Sequence, residues 1–293
     1  MPNDPNPAEK RKKLLEQYSE ILRNLHYSSR TEKTYISWVR QYILHHNPGL
    51  SISNAKRHPR EMGAPEINEF ITFLANQKNV SASTQNQAIS AVLFLYRHVL
   101  NIQLDETALL SIRPTKPKRI PTVLSKEEAK NVIAKMVGVH KLMAQIMYGG
   151  GLRLMEVLRL RVKDLDFENH QIIVRDGKGE NDRVTTLPNS LLEPLHLHIR
   201  QVKAQHDQDL SKGFGTVYLP YALERKYPNA NREFAWQYVF PALNLSTNPA
   251  NGLKQRHHIN ESSLQKAVKQ AAKLIKIDKP VSPHTFRQCV AYL

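Results

Sequence analysis

Two stretches decide the fold: Tyr148–Phe167, YGGGLRLMEVLRLRVKDLDF, and residues 171–187, QIIVRDGKGENDRVTTL. Three successive glycines, Gly149 to Gly151, interrupt a helical pattern that runs from about Lys141 to Tyr148, and LRLMEVLRL then resumes it. Glycine reaches backbone conformations closed to other residues, so the run marks a turn between two helices. Beyond Phe167 the period changes. QIIVR and VTTL are β-rich runs flanking an Asp-Gly-Lys-Gly turn, which predicts a β-hairpin.

Working outward toward the C-terminus, helix returns near 189–209, and 210–255 is irregular, with Phe214, Tyr218, Tyr221, Tyr227, Phe234, Trp236, Tyr238 and Phe240 among prolines. A helix follows at about 260–276, and VSPHTFRQCVAYL closes the chain. Toward the N-terminus, Ser125-Lys-Glu-Glu128 is a capping box that opens this domain, with Ala129, Val132, Ile133 and Met136 on one face of the helix it starts.

Ahead of it, residues 111–122, SIRPTKPKRIPT, interleave three prolines with Arg113, Lys116, Lys118 and Arg119. Proline denies this segment regular helix, so it reads as an interdomain linker. Its four positive charges suit either a strap lying along phosphates or a solvated hinge.

The first hundred residues carry four amphipathic stripes. After a tail over 1–8, the first helix starts at Glu9 with Leu14, Leu15, Tyr18, Ile21, Leu22 and Leu25. The second is N-capped by Thr31 and carries Tyr35, Trp38, Val39, Tyr42 and Ile43. After a loop over 50–64, the third shows Ile67, Phe70, Ile71 and Leu74. The fourth starts near Ser83 with Ala88, Ala91, Val92, Leu95 and Val99. The predicted class is mainly α (α+β): a small helical bundle over 9–110, the linker at 111–122, and a second, helical domain with a small β-hairpin sheet over 123–293.

Composition narrows the function. Among 293 residues, 42 Lys and Arg face 26 Asp and Glu, a formal charge of +16. Such a surplus self-repels unless an anionic partner offsets it, and nucleic acid or an anionic membrane are the usual candidates. The one cysteine, Cys289, excludes an internal disulfide framework. No apolar run approaches the roughly 18 residues of a membrane span, and MPNDPNPAEKRKK lacks the apolar stretch of a signal peptide. A soluble, cytoplasmic chain without a membrane partner is expected.

No phosphate-binding glycine loop, H-E-x-x-H or cysteine pair is present. His257, His258, His284 and Cys289 could be assembled into a metal site only on paper, so neither metal nor nucleotide cofactor is expected. Four other residues stand out. Arg153 sits where a helix restarts and needs a charged partner if buried beside Leu152 and Leu154; Glu156, three residues on, can supply it. Lys178 sits at the glycine-flanked hairpin tip. His284 and Arg287, three apart, share a helix face, with Ser282 and Pro283 as N-cap and N1 of that helix. Singly, each has a plain structural reading: a helix ion pair, a solvated turn lysine, an ordinary H-x-x-R. Jointly, two arginines, a lysine and a histidine are what metal-free phosphoryl transfer uses. Guanidiniums clamp the non-bridging oxygens, the lysine protonates the departing oxygen and the histidine shuttles a proton.

The order of these motifs resembles the tyrosine recombinases (the phage integrase family), and within them the integron integrases, over nearly the whole chain. YSSRTEKTYISWVRQYI looks like the family's core-binding helix, YGGGLRLMEVLRLRVKDLDF its first arginine box, GKGENDR the hairpin with its catalytic lysine, and HTFR its H-x-x-R box. The resemblance implies a SAM-like N-terminal DNA-binding domain and a clamp around DNA. It also implies strand cleavage through a phosphotyrosine followed by strand exchange and rejoining. Arg153, Lys178, His284 and Arg287 then take the catalytic roles and Glu156 the supporting one. An insertion at about 205–258, with LPYALERKYPNA, WQYVFPA and RHHIN, resembles the segment with which integron integrases reach bases extruded from folded single-stranded sites. His257 and His258 fall where that subgroup touches such bases, on which imidazole or aromatic rings can stack; a satellite core is the other reading of the aromatics.

The departure lies at the end. The family's nucleophilic tyrosine follows H-x-x-R by a few dozen residues, and here Gln288-Cys289-Val290-Ala291-Tyr292-Leu293 follows Arg287. Tyr292, five residues from Arg287, is poorly placed to attack a phosphate held by that arginine. A truncated, catalytically inactive chain is therefore expected, with Phe286 and Val290 exposed as an apolar patch. The family's homo-oligomeric assembly uses a C-terminal segment that does not follow here. A non-catalytic DNA-binding fragment that occupies recombination sites, and a decaying reading frame, are the alternatives.

Overall fold

The computed structural model describes residues 7–105, 122–175, 182–219, 223–248 and 251–290. They fall in two compact units, Met1–Arg119 and Ile120–Leu293.

The first unit is built from α1 (Pro7–Asn24), α2 (Ser29–His45), α3 (Ala64–Asn76) and α4 (Ala82–Phe94), the last continuing as a π-helical segment, Leu95–Leu100. α1 starts at Pro7 rather than Glu9; a proline in the first turn gives up no hydrogen bond. Its stripe buries Leu14, Tyr18 and Leu22, but Leu25 is exposed. Leu25 lies past the end of the helix, where His26 adopts a positive φ of 57° and turns the chain. The cap of α2 is Ser28, not Thr31: the Ser28 hydroxyl accepts the Thr31 N–H at 3.1 Å. Two short 3₁₀ turns, Ile52–Asn54 and Pro59–Glu61, occur in the stretch read as loop.

Tyrosines knit this core. The Tyr18 hydroxyl donates to the Ala91 carbonyl at 2.8 Å. Tyr96 donates to the Pro59 carbonyl at 3.0 Å, so its single proton is spent and Tyr42, 2.8 Å away, must donate to it. Burial raises the pKa of all three phenols, which stay neutral donors.

The second unit contains α5 (Lys126–Ala134), α6 (Gly138–Gly150), α7 (Leu154–Arg159), β1 (Leu165–Asp166), β2 (Gln171–Val174), β3 (Arg183–Thr186), α8 (Leu192–Ser211), α9 (Leu223–Lys226), β4 (Ser246–Thr247), β5 (Lys254–Gln255), α10 (Glu261–Leu274) and α11 (Pro283–Val290). The capping box of α5 is present: Ser125 Oγ accepts the Glu128 N–H at 3.1 Å, and Glu128 Oε2 accepts the Ser125 N–H at 2.7 Å. α6 runs through Gly149 and Gly150, so the break falls at Gly151 alone, in the left-handed conformation at φ 65°. At Gly149 a Cβ would run into the ring of Pro188, which fixes how closely α6 approaches the end of the sheet.

β2 and β3 pair antiparallel as expected, Ile172 opposite Thr185 and Val174 opposite Arg183. β1 adds a third strand on the β2 edge. Side chains alternate along a strand, so Arg183 and Thr185 share the inward face with Ile172 and Val174. The Thr185 hydroxyl donates to the Gly150 carbonyl at 2.8 Å from that face, while Val184 points outward and is exposed. The irregular stretch is ordered where described. It holds the two-stranded sheet β4–β5 and a small cluster of Val217, Leu219, Ala230 and Tyr238 with Trp236. Phe286, expected to be exposed, is fully buried, and with Cys289 it joins the main core formed by Met143, Met147, Leu264 and Val268. α11 packs on α6, and that contact covers Phe286; the side chain of Val290 lies outside what the structure describes. Among the described residues no helix is long and apolar enough to cross a membrane.

The tyrosine chain makes a directional prediction. Tyr96→Phe orphans the buried Tyr42 hydroxyl and leaves the Pro59 carbonyl only its bond from the Met62 N–H at 3.2 Å, and costs the first unit about 1–3 kcal/mol. Tyr42→Phe removes one donor only and costs about 1 kcal/mol. Urea unfolding of the two variants reads the difference; equal losses would show that the hydroxyl chain does not run in this direction.

Candidate functional site

The site begins where Gly151 ends α6. Arg153 is extended (φ −76°, ψ 158°) and precedes α7, so Glu156 in the first turn of that helix reaches back toward it. Glu156 Oε2 accepts the Arg153 backbone N–H at 2.7 Å, and Oε1 accepts Arg153 Nη1 at 2.6 Å. The partner expected for Arg153 is therefore present. A second one was not foreseen. Arg183, at the start of β3, grips the same carboxylate with both arms, Nη1 to Oε1 at 2.9 Å and Nη2 to Oε2 at 2.6 Å. Its signal was available in the strand alternation, which turns residue 183 to the inward face.

Glu156 is buried, its side chain only 7% exposed. Burial alone would raise its pKa, but hydrogen bonds from Arg183 and Arg153 outweigh that and hold it at about 2. The carboxylate is ionised at any physiological pH and its oxygens are filled by four donors.

Arg287 on α11 completes the cluster. Burial lowers its pKa first, and the positive charges of Arg153 and Arg183 add to that, with Glu156 opposing them. No ion pair of Arg287 occurs among the described residues. Two guanidiniums thus bond one carboxylate whose hydrogen-bonding capacity is already used, and a third, Arg287, lies within its electrostatic reach. Arg153 and Arg287 are both partly exposed, so their surplus charge faces solvent and suits an anion with several oxygens. His284 stands exposed one turn before Arg287 on α11. At the start of that helix the Ser282 carbonyl accepts the Thr285 N–H at 2.9 Å, and the Ser282 hydroxyl lies 3.3 Å from the Thr285 hydroxyl. The structure thus brings Arg153, Glu156 and Arg287 together, with His284 on the same helix. Lys178, the linker residues Arg113, Lys116, Lys118 and Arg119, and Tyr292 lie outside the described residues.

A second group lies in the aromatic stretch. Arg161 is buried and donates to the Trp236 carbonyl at 2.6 Å and the Tyr218 carbonyl at 2.9 Å, with its guanidinium 4.4 Å from the Tyr238 ring. The Lys163 ammonium sits 3.0 Å from the Trp236 ring centroid. His257 and His258 flank Tyr238 with ring centroids 5.4 and 5.3 Å away. His258 is half-buried, and burial pushes its pKa down to about 4, with His257, Arg159 and Arg161 adding to the effect; it is neutral, donating Nδ1–H to the Ile259 carbonyl at 2.8 Å. Arg256 fastens this segment to α8, donating Nη2 to Asp209 Oδ1 at 2.7 Å and Nη1 to the Ala242 carbonyl at 2.7 Å. The satellite-core reading fits Tyr238, whereas Tyr218, Tyr227 and His257 are exposed. Cys289 donates to the Thr285 carbonyl, and it forms no metal-ligand group with His257, His258 or His284 among the described residues.

Residues 14–106 match the phage integrase N-terminal SAM-like domain, and residues 122–293 match the phage integrase family. Integrase/recombinases of Escherichia coli and of Pseudomonas aeruginosa are each 41% identical over 287 residues, which is 98% of this chain and 82% of those proteins. In fold, the chain is similar to a lambda integrase (residues 75–356) crystallised as a dimer bound to a COC′ core site. That likeness has a TM-score of 0.60 at 14% identity, over 96% of this chain and 85% of the other. The chain belongs to the phage integrase family, the tyrosine recombinases.

Two measurements check the Glu156 network. Its folded pKa of about 2 lies below the ordinary 4.5, so its contribution is present in full above pH 4.5 and is lost as the pH falls through 2. Glu156→Gln should flatten that limb of the second unit's stability profile; an unchanged acid limb would contradict the assignment. Arg183→Ala should cost about 1–3 kcal/mol, discounted for its partial exposure, and Arg183→Lys should recover little because an ammonium lacks the planar fork that sets two parallel N–H bonds on the two oxygens. Recovery by lysine to within ~0.5 kcal/mol would refute the bidentate role.

Proposed function

We propose that this chain derives from a site-specific DNA recombinase of the integron integrase type and binds recombination-site DNA in the cytoplasm. In this reading residues 9–110 are the core-binding domain, 111–122 the basic linker, and 123–293 the catalytic domain with its insertion at about 205–258. The observation that carries the proposal is the saturated Glu156 carboxylate. With its oxygens occupied, one carboxylate offsets only one of the charges of Arg153, Arg183 and Arg287, and the partly buried cluster stays net positive.

The chemistry follows from placement. Arg153 and Arg287 hold the two non-bridging oxygens of one phosphodiester and stabilise the charge that grows on them during attack. Glu156 and Arg183 act through Arg153: Arg183 fixes the carboxylate, and the carboxylate holds the Arg153 guanidinium beside the first turn of α7. His284, exposed beside Arg287, exchanges a proton with the phosphate or the departing oxygen, and Lys178 from the hairpin protonates the 5′-oxygen as it leaves. Attack itself requires a tyrosine hydroxyl, and Tyr292 is the one tyrosine following Arg287 in these 293 residues. A polypeptide of these residues alone binds DNA and does not cleave it.

The linker residues Arg113, Lys116, Lys118 and Arg119 contribute sequence-independent phosphate contacts. The exposed rings of Tyr218, Tyr227 and His257 offer stacking faces for an extruded base, and His258 and Tyr238 pack against His257. Neutral His258 suits a base better than a phosphate.

A nicked suicide duplex, which traps a 3′-phosphotyrosine, tests the first claim: an electrophoretic shift that fades with salt and no covalent adduct is expected. An adduct would refute the inactivity, and the absence of a shift at low salt would refute the DNA binding. For the integron assignment, His257→Ala and Tyr218→Ala should weaken binding to a folded single-stranded hairpin with an unpaired base by about 1–3 kcal/mol per stacked ring and leave perfect duplex unaffected. Equal losses on both substrates would remove the extruded-base role.

A further inference from the structure

We propose that the first unit holds a binding site for a first-row divalent metal ion of the zinc class, formed by His45, His46 and Glu69. It lies outside the phosphate-binding cluster, and no metal was expected from the sequence.

The backbone makes the pairing of adjacent histidines workable. His45 is the last residue of α2 and His46 is its C-cap, so the chain leaves the helical path between them. Their rings stand 77° apart with centroids 4.8 Å from each other. Glu69 comes from α3. One ligand atom from each residue lies within 4.8 Å of the others. His45 Nε2 is 3.7 Å from Glu69 Oε1, and His46 Nδ1 is 3.9 Å from Glu69 Oε2. Those distances are too long for hydrogen bonds. They approach the roughly 3.3 Å that separates tetrahedral donors set about 2.0–2.2 Å from one ion.

Two features point to a ligand rather than to a plain ion pair. His46 Nε2 bonds to the Glu66 carbonyl at 3.0 Å. A carbonyl can only accept, so Nε2 carries a proton, and in the neutral ring Nδ1 then presents its lone pair toward Glu69. A metal-binding imidazole is oriented in the same way, its second nitrogen donating to an outer acceptor. His45 Nε2 is closed off from solvent and has no hydrogen-bond partner. Its ring packs on Phe73, centroids 4.4 Å apart. An ion bound here satisfies that atom.

The donor set fits the class. Two imidazoles and one carboxylate suit zinc and its neighbours better than calcium or magnesium. Exposed Glu69 leaves a fourth position open to water. The carbonyls at the C-terminal end of α2 add favourable negative potential for a cation. The ion would clamp the end of α2 to α3.

The test is zinc chloride titrated calorimetrically into the full chain after stripping with EDTA, together with Glu69→Gln. Glu69 is solvent-facing, so the metal-free variant should melt as its parent does. One saturable equivalent is expected in the parent, with a raised thermal midpoint for the first unit, and at least about tenfold weaker binding in the variant. No zinc uptake by the parent overturns the site. So does a loss of less than about tenfold in Glu69→Gln, which would send the zinc to others of the chain's 13 histidines.

Discussion

The Glu156 carboxylate is the constraint around which the second unit is arranged. It accepts from the Arg153 backbone, the Arg153 side chain and both arms of Arg183, four donors for two oxygens. The interaction joins the first turn of α7 to the edge of the sheet. It also fixes where the Arg153 guanidinium points. A buried carboxylate so fully bonded does not serve as a proton acceptor; its part is to hold.

Positioning then propagates outward. The left-handed Gly151 lets the chain leave α6 and re-enter helix with Arg153 extended, and Gly149 lets Pro188 close on α6. α11 packs against α6 through Phe286, which brings Arg287 into the field of Arg153 and Arg183. The like charges of Arg153, Arg183 and Arg287 repel one another, a repulsion that an anion between them would relieve. The same logic holds over the whole chain, whose formal charge of +16 asks for a polyanion.

Much of this was legible in the sequence because it is local. The Ser125–Glu128 capping box, the Arg153–Glu156 pair and the hairpin strands depend on residues a few positions apart. What escaped depends on tertiary approach. Arg183 meets Glu156 across 27 positions, a contact that only the pairing of β2 with β3 creates. β1 is a two-residue strand with no periodicity to read. The His45, His46 and Glu69 cluster joins two helices. Leu25 and Phe286 were misjudged for one reason: a stripe or a terminus says which face is apolar, not what covers it. Ser28 displaced Thr31 as cap because both are capping residues, and the hydrogen bond alone decides between them.

The central claim is that Arg153 and Arg287 serve a single phosphate. A crystal structure of the chain bound to recombination-site duplex tests it most directly. Both guanidiniums should lie within hydrogen-bond distance of the non-bridging oxygens of one phosphodiester, with Glu156 still held by Arg183. Two arginines engaged with different phosphates, or Glu156 released from Arg183 on binding, would contradict it.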